Sequence, residues 1–204
     1  MPSTHALPLR ERKKRRTREA LASTAVRMFT EIGFEATTLD ALVDAVEVSK
    51  RTFFRNFESK EDVALTSIHQ LWETFLDVLA GKQVHGPLLD GLREALLDTL
   101  TELDQRWYEQ FRLAYRLVRS TPALEAQSLR YCAEVQARIV ARYGPPDAVE
   151  LRLLVEIAIA AWRCATADWA ASDDGPDQLA MLVGRAFDAI PRSLVLPGTA
   201  LAPR

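Results

Sequence analysis

The stretch Thr37–Val63, TTLDALVDAVEVSKRTFFRNFESKEDV, predicts two short helices joined by a tight turn, with a third helix directly after them. Four aliphatic residues of the first helix recur at i, i+3, i+4 and i+7, which is the spacing of the buried face of an amphipathic helix. They are Leu39, Leu42, Val43 and Val46. A short helix, a three-residue turn and a second short helix follow the plan of a helix-turn-helix unit.

Polar residues at the expected helix starts support this interpretation. Thr37 with Asp40 three residues later fits a capping box, so the first helix is expected to start one residue after Thr37. Ser49 can cap the free amides of the second helix, and Ser59 with Asp62 repeats the pattern for the third.

The outward side of the second helix is cationic. Phe53 and Phe57 lie at i and i+4 and are expected to point into the core. The residues left outside are Lys50, Arg51, Thr52 and Arg55. They lie near a helix N-terminus, which carries partial positive charge of its own. This surface suits a groove lined by phosphates, and an ordinary solvated face is the alternative.

The same region carries a longer pattern that matches a known family in order and spacing. It consists of Ala25-x-x-Met28-Phe29, Gly33-Phe34, Thr37-Thr38, Val48-Ser49-Lys50, Thr52-Phe53-Phe54, Phe57 and Ser59-Lys60-Glu61. On these residues the chain resembles the tetracycline-repressor (TetR) family of one-component transcription regulators. The resemblance covers the region from Ala25 to Val63.

The resemblance implies a particular way of binding DNA. In such proteins the helix at Lys50–Phe54 enters the major groove, and the helices that start at Thr38 and Lys60 touch phosphates with their N-termini. The implied contacts to bases or groove edges are Ser49, Lys50, Arg51 and Thr52. The implied backbone contacts are Thr37, Thr38, Phe54, Asn56 and Lys60. Phe54 replaces the family's usual tyrosine and offers only apolar contact, whereas Asn56 replaces a frequent histidine and can still donate.

Composition predicts a helical protein with a real core. The chain has 204 residues, 48% of them hydrophobic, with 8 glycines and 10 prolines. No run of β-branched residues alternates with polar ones, so the fold is predicted to be all-α. We expect an N-terminal three-helix helix-turn-helix head and a C-terminal helical bundle, with about nine helices in total.

Several functional classes find little support in the sequence. Cys132 and Cys164 lack CxxC or Cys-His spacing, so reduced thiols are expected, with a disulfide as the alternative and with no metal site and no cofactor. Three scattered histidines and no nucleophile motif argue against an enzyme. No apolar stretch is long enough for a transmembrane helix, and the N-terminus lacks the apolar region of a signal peptide. We therefore expect a cytoplasmic protein.

Charge is distributed unevenly along the chain. Residues 1–60 contain 12 Lys and Arg against 8 Asp and Glu, whereas residues 61–204 contain 14 against 20. A basic excess at the helix-turn-helix end is what phosphate binding requires. Much of it lies in Arg10–Arg18, RERKKRRTR. This run is either an arm on the phosphates or in the minor groove of an operator, with Arg15 and Arg16 as contact candidates, or a solvated lead-in to the first helix.

The predicted parts of the chain are a disordered arm (1–9), the helix-turn-helix domain (10–58), a ligand-binding and dimerisation domain (59–195) and a loose tail (196–204). The first helix is expected over Arg15–Ile32, with Ile32 in its buried face and Gly33 as a left-handed cap. One longer helix is expected from Ser59 onwards. The last two long helices are expected over Asp147–Ala171 and Pro176–Ile190.

The helical body is predicted to serve pairing and switching. A two-fold dimer reads two half-sites about 34–36 Å apart or a multiple of that. The last two helices are candidates for its interface, and ordinary intramolecular core is the alternative. A ligand that binds in a pocket among the middle helices could release the protein from DNA if it binds one arrangement of the two heads more tightly than the other. The candidate pocket residues are Trp72, Phe75, Phe111, Tyr115, Arg116, Tyr131 and Trp162, with His69 and Arg112 as further polar groups.

The leading hypothesis is a ligand-responsive dimeric repressor that binds a palindromic double-stranded DNA operator and is released by a small lipophilic effector. The segment LVRSTPALEAQ, residues 117–127, also resembles actinobacterial members of the family, some of which sense acyl-CoA or other lipophilic metabolites. The alternative is a helical sensor or scaffold with a degenerate DNA head that acts through protein contacts. Phe54 and Asn56 are the residues that favour this alternative.

Overall fold

The structure is a computed structural model that describes residues 9–197. These residues form ten α-helices and no strand, so the all-α prediction is confirmed with one helix more than expected. The helices are α1 (Leu9–Glu31), α2 (Leu39–Ala45), α3 (Lys50–Phe54), α4 (Lys60–Ala64), α5 (Thr66–Gly81), α6 (Leu88–Glu102), α7 (Gln105–Ser120), α8 (Pro122–Tyr143), α9 (Val149–Ala171) and α10 (Pro176–Ser193). The arm predicted to be disordered lies outside the described residues except for Leu9, and so does the tail beyond residue 197.

Helix α1 starts earlier than predicted, at Leu9 in place of Arg15, so the basic run Arg10–Arg18 is helical. Arginine and lysine are good helix formers, and an exposed helix surface separates their charges in space. The helix ends at Glu31, and Gly33 has a φ of +101°, which confirms the left-handed cap. Ile32 was wrongly placed in the core. It follows the last helical residue and is 56% exposed.

The single long helix expected from Ser59 is two helices. The Ser59 side chain accepts a hydrogen bond from the Asp62 N–H at 3.1 Å, which confirms the predicted cap. Helix α4 then ends at Ala64 with Leu65 as its C-cap, and α5 starts at Thr66. The Thr66 hydroxyl donates to the Val63 carbonyl oxygen at 2.8 Å, a local bond that competes with the helical backbone pattern. This break accounts for the additional helix.

The chain divides into two compact units. The head unit comprises the described residues up to His69 together with Glu109–Leu129. In it, α1 packs on α2 and α4 around fully buried side chains. These include Leu21, Phe29, Leu42, Phe53, Phe57 and Phe111. The predicted boundary between residues 58 and 59 divides the chain by role and stays a prediction.

The body unit comprises Gln70–Tyr108 and the described residues from Arg130 onwards. Its centre is the packing of α9 on α10, with α6 against both. Trp169 is 1% exposed, and its indole N–H donates to the Gly175 carbonyl oxygen at 3.0 Å across the turn between α9 and α10. Within residues 9–197, no helix has the length and apolar character needed to cross a membrane.

Candidate nucleic-acid interface

The recognition helix α3 is fixed by one cap and two buried rings. Ser49 has extended backbone angles, and its side chain accepts a hydrogen bond from the Thr52 N–H at 3.1 Å, as predicted. Phe53 is 0% exposed and Phe57 is 2% exposed, with ring centroids 5.6 Å apart. Because these two rings point inward, the opposite side of the helix faces solvent.

The outward side of α3 carries the cations that the sequence predicted. Lys50, Arg51 and Arg55 are exposed, and Phe54 is 58% exposed. The Lys50 ammonium also pairs with the Asp40 carboxylate of α2 at 2.6 Å. Since both partners are more than half exposed, the pair is screened by water and weak. Arg51 and Arg55 therefore provide the open positive charge of the helix.

The turn before α3 holds a strained residue. Glu47 has a φ of +56°, which is a left-handed conformation that side chains other than glycine rarely adopt. Its N–H donates to the Asp44 carbonyl oxygen, and the Val48 N–H donates to the Val43 carbonyl oxygen, both at 3.0 Å. These two bonds close the turn and set the direction in which α3 leaves α2.

Thr38, rather than Thr37, caps α2. The Thr38 side chain accepts from the Ala41 N–H at 3.1 Å, so the prediction of Thr37 as the capping residue was wrong by one position. Thr37 is 2% exposed and its hydroxyl donates to the Gly33 carbonyl oxygen at 2.8 Å. Turning inward, this hydroxyl satisfies a carbonyl at the end of α1 and leaves the cap to its neighbour.

Lys60 points back into the head unit. Its ammonium donates to the carbonyl oxygens of Phe34 and Thr37, at 2.7 and 3.2 Å, and lies 4.2 Å from the centroid of the Phe34 ring. It thereby joins the start of α4 to the loop before α2. The sequence resemblance implied a phosphate contact for this residue, and that role stays a prediction.

Asn56 is also turned inward. It is 8% exposed, and its side-chain amide donates to the Thr52 carbonyl oxygen at 2.7 Å. The Asn56 side-chain oxygen is buried and accepts no hydrogen bond from residues 9–197. The Asn56 backbone carbonyl oxygen accepts from the Arg18 guanidinium. Asn56 thus ties the end of α3 to its first turn and to α1.

Arg18 has a structural role that the sequence pattern did not predict. The residue is half-buried, and its guanidinium lies 4.3 Å from the centroid of the Phe57 ring. Arg18 is one of several cations in the basic run, and they differ only in the side of the helix on which they lie. The sequence does not show which of them faces the core until the helical register is known. The predicted contacts Arg15 and Arg16 are exposed on the same helix, and Arg15 pairs with Glu19 at 3.4 Å.

The body unit contains one part of the predicted effector pocket. Trp72 packs edge to face on Phe75 and Trp162, with centroid distances of 5.8 and 6.1 Å. These three rings line a small cavity of about 10 Å³. The other lining residues are Leu92, Leu96, Ile139, Val155, Ala158, Ile159 and Phe187. None of the ten carries a charge.

The remaining candidates for the pocket are placed elsewhere. Phe111, Tyr115 and Arg116 belong to the head unit, where the rings of the first two are 6.2 Å apart. Tyr131 belongs to the body unit and donates its hydroxyl to the Glu73 carboxylate at 2.8 Å. Burial raises the pKa of the Tyr131 phenol, and the Glu73 carboxylate raises it further. The structure therefore brings three of the seven candidates to the cavity.

Comparison with protein families gives two matches. Residues 21–66 match the model described as bacterial regulatory proteins, tetR family. Residues 86–195 match the model described as the MftR C-terminal domain. The first match contains α2, α3 and α4. The second match contains α6 to α10 and includes parts of both units of the chain.

Curated relatives agree with these matches. The chain is 36% identical over 183 residues to the HTH-type transcriptional regulator TcmR of Streptomyces glaucescens, covering 82% of this chain and 81% of the relative. It is 22% identical over 137 residues to the negative transcriptional regulator IcaR of the biofilm operon of Staphylococcus epidermidis, covering 66% of this chain and 72% of the relative.

Solved structures share the fold. A transcriptional regulator from Aquifex aeolicus VF5 superposes with a TM-score of 0.55 at 15% identity, covering 87% of this chain and 99% of that one. A transcriptional regulator from Rhodococcus sp. gives 0.52 at 17% identity, covering 88% and 99%. The matched families and relatives are DNA-binding regulators and not enzymes. On the family match and the TcmR identity together, the chain belongs to the tetR family of bacterial regulatory proteins.

Proposed function

We propose that the chain is a dimeric, effector-responsive repressor that binds a palindromic operator in the bacterial cytoplasm, where the chromosome lies. The observation that carries the proposal is the outward face of α3, where Lys50, Arg51 and Arg55 stand exposed beside a capped helix N-terminus. Repression, rather than activation, is supported by the relative IcaR, whose name describes a negative regulator.

In this proposal α3 enters the major groove. Arginine and lysine near the N-terminus of such a helix can donate to the acceptors of guanine. Arg51 and Lys50 are the proposed base contacts, with the Ser49 and Thr52 hydroxyls at the groove edge. Thr38, Phe54, Arg55 and the α1 residues Arg15 and Arg16 are proposed to contact the backbone, and Thr37, Asn56 and Lys60 to hold the head that presents them.

Pairing is proposed to use the outer faces of α9 and α10. Val149 and Leu153 of α9 are 57% and 56% exposed, and Met181 of α10 is 51% exposed. Small residues accompany them along α9, including exposed Ala160 and Ala167. Apolar and small residues on two adjacent helices favour close packing against the same face of a second copy, which is the geometry of a two-fold interface.

The effector is proposed to be a small uncharged molecule. The cavity of the body unit has a volume of about 10 Å³ and no charged lining residue. A carboxylate or phosphate placed there would lose its hydration without gaining a partner, which costs several kcal/mol. A volume of about 10–15 Å³ holds a single water molecule, so Trp72, Phe75 and Trp162 must move apart to admit a ring. The lining favours a neutral, apolar effector that the three rings can pack against.

Selection of bound sequences from random duplexes tests the DNA part of the proposal. We expect a palindrome to be enriched, and Arg51→Ala to weaken binding of the enriched site by about 1–3 kcal/mol with relaxed preference at one base pair per half-site. Equal binding of all duplexes would contradict the proposal that the protein recognises a specific base sequence. Regulation that survives with both Lys50 and Arg51 changed to alanine would instead favour a scaffold that acts through protein contacts.

A further inference from the structure

Asp40 of α2 forms an ion pair with the recognition helix. Its carboxylate oxygen lies 2.6 Å from the ammonium of Lys50, the first residue of α3. The pair therefore spans the helix-turn-helix, from the first turn of α2 to the first turn of α3. Both side chains are more than half exposed. The pair lies on the surface of the head, where a duplex bound to α3 would meet it.

The surroundings of this pair change when DNA binds. In the free protein the pair contributes little to stability, because water screens two exposed charges. A bound duplex displaces much of that water, and the attraction between the two charges grows as the local dielectric constant falls. A lysine side chain is a flexible four-carbon stem, so a carboxylate that fixes its ammonium before binding lowers the entropy lost when the ammonium contacts a base.

The Lys50 ammonium can serve a second partner at the same time. It carries three N–H donors, and the Asp40 carboxylate occupies only one side of it. Lysine donors can bind the O6 and N7 acceptors of guanine in the major groove. The same carboxylate repels phosphates, so it favours a contact between Lys50 and an uncharged base edge over a contact with the backbone.

We propose that Asp40 is a specificity-determining residue that acts through Lys50, because it holds the ammonium toward a base edge and away from the phosphates. Asp40 is a positioning residue, since the base contact is made by Lys50. The inference rests on the proposed function, because it requires a duplex in contact with α3. The alternative is a structural role. Asp40 lies in the first turn of α2, where a carboxylate also stabilises the helix through the partial positive charge of its N-terminus.

A double-variant cycle tests the route through Lys50. Asp40→Asn removes the charge and keeps the size of the side chain, whereas Lys50→Met removes the ammonium. The matched control is Asp44→Asn, because Asp44 is an exposed aspartate one turn further along α2 and lies outside the pair. The wild type, the three single variants and the double variant of Asp40 and Lys50 are used, as full chains, to select bound duplexes from a random pool. The preference at each base pair of the selected site is measured.

We expect one base pair of each half-site to depend on Lys50, with a preference of about five- to a hundred-fold in the wild type. Asp40→Asn should bring that preference close to its value in Lys50→Met, and should cause no further change in the Lys50→Met background. Asp44→Asn should leave the preference at every base pair unchanged. Both asparagine variants should bind an arbitrary duplex about twofold more tightly, since each removes a charge that repels phosphates.

The outcomes separate this inference from the proposed function. If Asp40→Asn selects with the wild-type preferences, or if both asparagine variants change the preferences alike, the inference is overturned and the proposed function stands. A change at a base pair that Lys50→Met does not affect would also overturn it, because Asp40 would then act without Lys50. A wild type that selects no sequence would overturn both. A purely structural role would lower the free energy of unfolding of Asp40→Asn in urea without altering the preference at one base pair.

Discussion

The guanidinium of Arg18 lies 4.3 Å from the centroid of the Phe57 ring, and the same side chain donates to the Asn56 carbonyl oxygen. Both contacts join α1 to the segment that leaves the recognition helix. A cation over an aromatic face and a charged donor on a carbonyl each stabilise the fold more than an ordinary surface contact. Arg18 therefore positions α3 from inside the head unit while its neighbours in the basic run face solvent.

Replacing Arg18 with methionine keeps an extended side chain but removes both contacts. We expect the free energy of unfolding to fall by about 2 kcal/mol, measured by urea denaturation. The matched control is Arg16→Met, an exposed position on the same helix, which should change stability by less than about 0.5 kcal/mol. Equal losses at the two positions would show that the Arg18 contacts do not stabilise the head.

Lys60 is the second cation that holds the head together. Lys60→Met removes the donor to the Phe34 and Thr37 carbonyl oxygens and the contact with the Phe34 ring. We expect stability to fall by about 1–2 kcal/mol, with the salt dependence of binding to an arbitrary duplex unchanged. If the slope drops by about one while stability stays the same, Lys60 instead leaves its carbonyls and binds a phosphate in the complex.

Asp62 makes head stability depend on acid pH. Burial alone would raise the pKa of its carboxyl, but hydrogen bonds from His69 and the Glu58 N–H, with the electrostatic effects of His69 and Arg18, bring the pKa below its ordinary value. A lowered folded-state pKa means that the carboxylate stabilises the fold above about pH 4, and that this stability is lost as the pH falls through the folded-state pKa.

Asp62→Asn should therefore lower the free energy of unfolding by about 1 kcal/mol at pH 7. It should change that free energy little once the pH is below the folded-state pKa of Asp62. Urea denaturation from pH 7 down to pH 3 measures the difference between wild type and variant. Glu61→Gln is the control, because Glu61 is the neighbouring carboxylate in the first turn of the same helix. A difference between wild type and Asp62→Asn that stays constant with pH would refute the linkage.

Local sequence rules predicted the DNA head well because its structure is set by neighbours in the chain. The caps at Ser49 and Ser59 and the buried pair Phe53 and Phe57 each act within four residues, and all four were predicted correctly. The Thr37 cap was wrong by one position, since two adjacent threonines are equally able to cap. The carbonyl of Gly33, a tertiary partner, takes the first hydroxyl.

The body unit was harder to predict because the sequence does not show which aromatic residues come into contact in the fold. Trp72, Phe75 and Trp162 reach one cavity, and Trp162 comes from a helix far along the chain. Phe111 and Tyr115 also recur at a helical spacing, yet they belong to the head unit. Register along α7 is a local property, whereas assignment to one unit or the other depends on contacts between distant segments.

The exposed face of α9 and α10 leads to a prediction about assembly. Leu153→Glu combined with Met181→Glu places two carboxylates on the proposed interface, where they would be desolvated and close to their symmetry mates. We expect the double variant to sediment as a monomer and to lose cooperative binding of a palindromic site. Leu129→Glu, which is 48% exposed on α8 outside this face, is the control and should leave the oligomeric state unchanged. A dimeric double variant would exclude this face as the interface.

The cavity in the body unit predicts which ligands bind. Indole is neutral and ring-shaped, whereas indole carboxylate is similar in size and carries a charge that no lining residue can neutralise. At tenfold above its dissociation constant, indole should raise the free energy of unfolding by about 1.4 kcal/mol, and the carboxylate should have no effect at the same concentration. Tryptophan fluorescence reports binding directly, since Trp72 and Trp162 line the cavity.

A pair of α9 variants separates the cavity from the helix surface. Ala158→Leu fills the space beside Trp162, whereas Ala160→Leu adds the same atoms two residues further along, on the exposed side. Indole binding should be lost in the first variant and kept in the second. If indole binds but does not release operator DNA, the cavity is a ligand site that does not control DNA binding. Release of DNA by a charged metabolite in the Ala158→Leu variant would place the effector somewhere other than this cavity.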